Sequence, residues 1–121
     1  MTMKEKKEIK TGNGTYTFVN ETLSTRNGFA HETQLFIEGL SWPISTARVN
    51  YQNRTWELYR YQTSMMKAVR KLIDERKGTI TADIADLEGW GKITAKRREK
   101  LDQVFAEDET LREYKELEAK L

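Results

Sequence analysis

Cysteine is absent from this chain and histidine occurs once, at His31. Without thiolates there is no disulfide framework and no cysteine metal site, and one imidazole cannot build a histidine cluster. Structural zinc is therefore excluded and no cofactor is implied. His31 has no Ser, Cys or carboxylate partner at a recognisable spacing, so it reads as a structural histidine rather than a catalytic base, and an enzyme is not expected. A phosphate-binding loop is missing as well, because Gly12-Asn13-Gly14 lacks the helix and lysine that would follow one. No apolar run approaches the roughly 20 residues that cross a bilayer. The basic start, Met1 to Lys7, leads into no apolar signal core, which predicts a cytoplasmic protein without a membrane partner.

A one-sided charge is also lacking. The net charge is +2 although the pI is about 8.8, so any electrostatic argument has to rest on local clustering. Charge is in fact segregated along the chain. Met1 to Lys10 holds four lysines against two glutamates, Lys92 to Lys100 holds five basic residues against Glu99, and Asp102 to Glu118 is acidic. With 121 residues, of which 37% are hydrophobic and 33% charged, the chain has material for one modest core with much solvated surface. We expect one domain, in which residues 1–78 form the core and residues 79–121 a helical extension of it.

Turn chemistry punctuates the first half. Gly12-Asn13-Gly14 precedes a run rich in Thr, Tyr, Phe and Val from Thr15 to Ser24, which reads as a strand. Tyr16, Phe18, Asn20 and Thr22 share one of its faces and Thr17, Val19, Glu21 and Leu23 the other; neither is cleanly apolar. Lys7 to Thr11 supplies a short partner strand. Asn27-Gly28 is a hairpin signal, since a type I′ turn needs positive φ at both central residues, and it sends a second strand back over Phe29 to Glu38. After Glu38-Gly39, Ile44 to Tyr51 alternates as the third strand of a meander, with Pro43 at its entrance.

From Arg54 to about Arg76 the period turns helical, with Leu58, Tyr61, Met65, Val69, Leu72 and Ile73 on one face. Asn53 is placed to cap this helix and Lys77-Gly78 to stop it. A short helix follows over Ala82 to Glu88, capped by Thr81 and ended by Gly89. Gly89-Trp90-Gly91 is then a bend, and Thr94 caps a last helical region, Ala95 to about Lys120, that Asp108 or Thr110 divides. The expected architecture is α+β: a three- or four-stranded antiparallel meander packed on one long helix, with a helical C-terminal extension.

Two basic groups stand out as candidate partner-binding residues. On the long helix, the side opposite the apolar stripe is expected to carry Trp56, Arg60, Ser64, Lys67, Lys71 and Asp74, preceded by Arg54. Trp56 and Arg60 are four apart, so the guanidinium can lie on the indole. Such a face can hold phosphates while the aromatic stacks on a base, or anchor a protein interface. The second group, Lys96, Arg97 and Arg98, opens the last helix, where cations oppose the helix dipole and gain nothing from it. Asp83, Asp86 and Glu88 read as ordinary helix acids rather than a cation site. The stripe of Leu111, Tyr114, Leu117 and Leu121 offers a route to self-association.

The segment Val49-Asn-Tyr-Gln-Asn-Arg-Thr-Trp-Glu-Leu-Tyr-Arg-Tyr-Gln-Thr63, preceded by a three-strand pattern, resembles small accessory proteins encoded by phages and other mobile elements of Gram-positive bacteria. The resemblance covers roughly residues 12–73. Proteins of this size from such elements include inhibitors of host defence, notably anti-CRISPR proteins that bind a CRISPR nuclease or its guide complex. It implies a non-enzymatic protein that blocks a host nuclease or its nucleic-acid channel, acting in the cytoplasm of the host cell, with contact suspected at Asn53, Arg54, Thr55, Trp56, Glu57, Tyr59 and Gln62. A small nucleic-acid-binding or regulatory module using a basic helix face is the alternative.

Overall fold

The computed structural model describes residues 3–52 and 60–121. Four strands form one antiparallel sheet in chain order: β1 (Met3–Thr11), β2 (Gly14–Thr25), β3 (Gly28–Ile37) and β4 (Ser45–Gln52). Three helices follow, α1 (Gln62–Glu88), α2 (Ala95–Glu107) and α3 (Glu109–Ala119). The α+β meander expected from the alternation is what forms, with β1 longer than the short partner read from the sequence.

The ambiguous face of β2 is resolved in favour of its two aromatics. Tyr16 and Phe18 are buried, and Asn20 and Thr22 are buried with them. The opposite choice would have put Glu21 inside as an unpaired charge. The two polar residues are tolerated because neighbouring elements supply partners. Thr33 Oγ1 donates to Asn20 Oδ1 at 2.6 Å and shares a second bond with Ser64 Oγ of α1, also 2.6 Å. Thr22 Oγ1 and Tyr61 Oη are 2.7 Å apart, and Ser45 Oγ donates to the Ala68 carbonyl at 2.8 Å. His31 is fully buried within this layer, its ring 5.3 Å from Phe29, 5.0 Å from Tyr51 and 4.7 Å from Tyr61. The sheet and α1 are thus joined by a polar seam flanked by the apolar core of Phe18, Leu35, Met65, Val69 and Leu72.

The first hairpin signal lands one residue away from its expected place. Thr25 pairs with Gly28, so the turn residues are Arg26 and Asn27, and Gly28 already belongs to β3. Glycine is required there for a different reason: a Cβ would collide with the Tyr51 carbonyl oxygen of β4.

Lys77-Gly78 does not stop α1. The helix runs for 27 residues, about 40 Å at 1.5 Å per residue, so the separate helix over Ala82 to Glu88 is its last stretch and the boundary at residue 78 falls within it. A mid-helix glycine costs only about 1 kcal/mol against alanine. Here Ile80 is buried just beyond it, and Thr79 and Thr81, the latter expected to be a cap, bond instead to the carbonyls of Glu75 (3.0 Å) and Lys77 (2.7 Å). The true stop is Gly89, at φ 68°, with Gly89 and Trp90 amides both reaching Ala85 O. At the other end α1 begins at Gln62, with Tyr61 as N-cap residue, later than the expected start at Arg54. The cap assigned to Asn53 lies outside the described residues.

The division of the last helical region is at Asp108. Its carboxylate accepts from Leu111 N (2.9 Å), capping α3, and takes two bonds from Arg76 of α1, Nε at 3.1 Å and Nη2 at 2.7 Å. Leu111 and Leu117 are fully buried on the domain's own core, which removes the apolar stripe on which self-association through the C-terminal helix was expected. Polar contacts bind α3 to the first hairpin: Thr11 Oγ1 to Glu113 (2.7 Å) and Gly12 N to Glu116 (3.2 Å).

Two outcomes follow for stability. Gly28→Ala is expected to cost about 1–3 kcal/mol through overpacking against β4, while Gly12→Ala, where a Cβ meets nothing within 4 Å, stays near neutral; urea melts of both variants check this. The Arg76 guanidinium, and then the Leu111 amide, hold the Asp108 carboxyl below its usual 3.8. A depressed folded value adds stability above the ordinary aspartate range, and that stability disappears as pH falls through it. Asp108→Ala, expected to lose about 1–2 kcal/mol at pH 7 as a cap, should therefore begin to close on the parent's stability in melts below about pH 4 and converge once pH falls below the depressed folded value.

Candidate contact surface

At the far end of α1 the chain reverses through Gly89, Trp90 and Gly91 and enters α2. Thr94 sets the reversal, its hydroxyl accepting from Arg97 N at 3.3 Å. With that cap in place, positions 97 and 100 face back toward Trp90. The Arg97 guanidinium lies 5.4 Å from the indole centre and donates to Lys92 O at 2.6 Å. The Lys100 ammonium lies 5.7 Å from the same ring and 3.0 Å from Glu88 Oε1. Trp90 itself is half-buried, packed against the core from outside. Together with Thr94, Lys96 and Glu99 these groups line a depression of about 360 Å³.

The electrostatics of this end are unbalanced. Lys96 and Arg98 are exposed, and the first turn of α2 contains no acid, so the positive end of the helix dipole adds to the cations instead of being offset. Of the nearby carboxylates, Glu88 engages Lys100. A surface of this kind raises the local concentration of anions.

The basic face read on α1 resolves differently. Arg54 and Trp56 lie outside the described residues. Arg60 is exposed but precedes the helix, so it does not share a helical face with the lysines. Lys67 Nζ donates to the Arg48 carbonyl at 2.7 Å and Lys71 Nζ to the Thr46 carbonyl at 2.6 Å. Both acceptors belong to β4, the outer strand on that side. The lysines satisfy backbone groups that an edge strand leaves open. Nor do the two basic groups meet: Lys71 and Glu88 are 17 residues apart on one helix, about 25 Å, and Lys100 sits beside Glu88.

Sequence reasoning took Trp90 for part of a bend and missed it as the centre of the basic end. The available signal was a tryptophan between two glycines directly ahead of the basic run, which a helix cap at Thr94 turns back on itself. Trp42, next to the Pro43 expected at the strand entrance, is 62% exposed. Among the described residues no group of three His, Asp or Glu side chains is arranged to hold a metal ion, and no helix is long and apolar enough to cross a membrane.

Replacing Lys67 and Lys71 together by alanine is expected to lower stability by about 1–3 kcal/mol, at roughly 0.5–1.5 per hydrogen bond. Amide exchange measured across β4 should accelerate in that variant while β2 stays protected. Compared with protein-family models, curated proteins and solved structures, the chain finds no match.

Proposed function

We propose that this chain is a non-enzymatic binding protein of the phage anti-defence kind, whose contact surface is the basic end around Trp90. Its target is the phosphate backbone presented by a nucleic-acid-bearing complex of the host, such as a guide-loaded CRISPR nuclease. The observation that carries this reading is the placing of Arg97 and Lys100 over one indole, with Lys96 lining the same depression and Lys92 and Arg98 adjacent in the chain at the start of α2. The cations there work against local helix stability. A binding role accounts for them where packing does not. The resemblance of residues 49–63 to phage accessory proteins supplies the biological setting, and the acidic surface that would mimic DNA inside a basic channel is not the surface favoured here, since the overall charge is positive.

Fluorescence anisotropy with a labelled 20-nucleotide RNA, alone and on a guide-loaded type II nuclease, tests the proposal. Each neutralised phosphate of a single strand contributes a slope of about −0.7 in log K against log salt, so three or four contacts predict a slope near −2 to −3. Lys96→Glu/Arg97→Glu/Arg98→Glu should weaken binding at least tenfold and abolish any inhibition of cleavage. Salt-insensitive binding, or a triple variant that binds as the parent does, would overturn it.

A further inference from the structure

The two outer strands of the sheet are finished differently. β4 has its outward carbonyls at Thr46 and Arg48 covered by lysines of α1. On the other side, the hydrogen bonds that α3 makes to the first hairpin fall on Lys10, Thr11 and Gly12. Lys4, Lys6 and Glu8 of β1 are exposed.

The direction of their backbone groups follows from β2. Glu38 N donates to Thr15 O at 3.0 Å, so Thr15 turns its backbone toward β3 and away from Lys10, its partner on β1. Lys10 therefore points its carbonyl outward, where Lys120 Nζ takes it at 2.7 Å. Alternation along an antiparallel strand turns Glu8, Lys6 and Lys4 outward too. Among the described residues nothing pairs with this outward edge, and an extended run of five residues results.

Side chains decide what can pair with it. Consider a second copy of β1 laid antiparallel across a two-fold axis. Centred on Lys6, the pairing sets Lys4 opposite Glu8 and Glu5 opposite Lys7, each twice, with Lys6 against its own copy as the one like pair. Centred on Glu5, it sets Lys4 against Lys6 and Glu5 against Glu5. Centred on Lys7, it sets Lys7 against Lys7 and Lys4 against Lys10, whose carbonyl is already occupied. An axis between two residues would match outward groups with inward ones and make no ladder. Opposite charges directly across a strand pair stabilise it and like charges destabilise it. One register is therefore distinguished by both hydrogen-bond direction and charge.

We infer that β1 is a self-association edge, through which two copies join about Lys6 into a continuous eight-stranded sheet. Three outward pairs, Lys4 with Glu8, Lys6 with Lys6 and Glu8 with Lys4, exchange two backbone bonds each, six in all. Lysine on an edge strand commonly guards against pairing. Here each lysine but Lys6 meets a glutamate of the other copy, so the guard acts against foreign strands and not against this one. A five-residue ladder is small beside a standard interface, and the dissociation constant is expected on the order of tens of micromolar. The inference is independent of any role of the basic end around Trp90.

Sedimentation equilibrium of the full chain over concentrations bracketing that value is the test. Lys6→Pro removes an outward amide without breaking the β1–β2 ladder, and should leave a folded monomer by circular dichroism. Glu5→Lys sets like charges against Lys7 and should weaken the dimer at least tenfold. The double exchange Glu5→Lys/Lys7→Glu restores opposite charges and should recover it. A parent that stays monomeric throughout, a Lys6→Pro variant that dimerises as the parent does, or a double exchange no better than the single one would each overturn the inference.

Discussion

The continuity of α1 is the constraint on which the rest of the molecule depends. Its first half, from Ser64 to Ile73, closes the sheet, Arg70 and Arg76 tie it to α3, and its second half ends at Gly89, where the chain turns into α2. Were the helix to end at Lys77-Gly78, α3 would keep its ties to Arg70 and Arg76 and to the first hairpin, but Ile80 would leave the core and the path to α2 through Gly89 would be lost. The glycine is tolerated because tertiary packing at Ile80 outweighs a propensity penalty of about 1 kcal/mol.

Lysine in this protein acts in good part as a backbone ligand. Lys67, Lys71 and Lys120 each donate to a strand carbonyl, at Arg48, Thr46 and Lys10. An ammonium is suited to this task, having three donors on a flexible stem that can lie along apolar surface. Positive charge that reads as a binding face is thereby used in closing the margins of a sheet. The cations around Trp90 are placed differently, engaging the indole, Glu88, the Lys92 carbonyl and solvent.

Polar groups inside the fold are paired across elements, the side-chain nitrogen of Asn20 being an exception among the described residues. The seam between sheet and α1 is admissible because Thr33 joins Asn20 to Ser64, Thr22 meets Tyr61, and Ser45 meets Ala68 O. A buried polar group left unpaired costs about 1–3 kcal/mol, so such a layer also fixes the register at which the helix can dock. Tyr16, buried and beside Glu113, has its hydroxyl proton held more tightly than usual, as has the half-buried Tyr114. Both therefore favour the neutral ring, and the stability they contribute is present below pH 10 and lost above it.

Alternation in β2, β3 and β4, the apolar stripe of α1 from Met65 to Ile73, and the caps at Thr94 and Asp108 were legible in the sequence by itself. Each is written in residues a few positions apart, where local geometry and side-chain chemistry suffice. The inward face of β2 was not, since Asn20 and Thr22 are acceptable inside only when Thr33, Ser64 and Tyr61 arrive from elsewhere. The fate of Gly78 and the role of Gly28 likewise depended on what packs against them. Among the candidate contact residues, the basic run at Lys96 to Arg98 could be named from the sequence. That Trp90 lies beneath Arg97 and Lys100, and that Lys67 and Lys71 close β4, only the tertiary structure decided, because a side chain's partner on another element is set by how the elements are stacked and not by its neighbours in the chain.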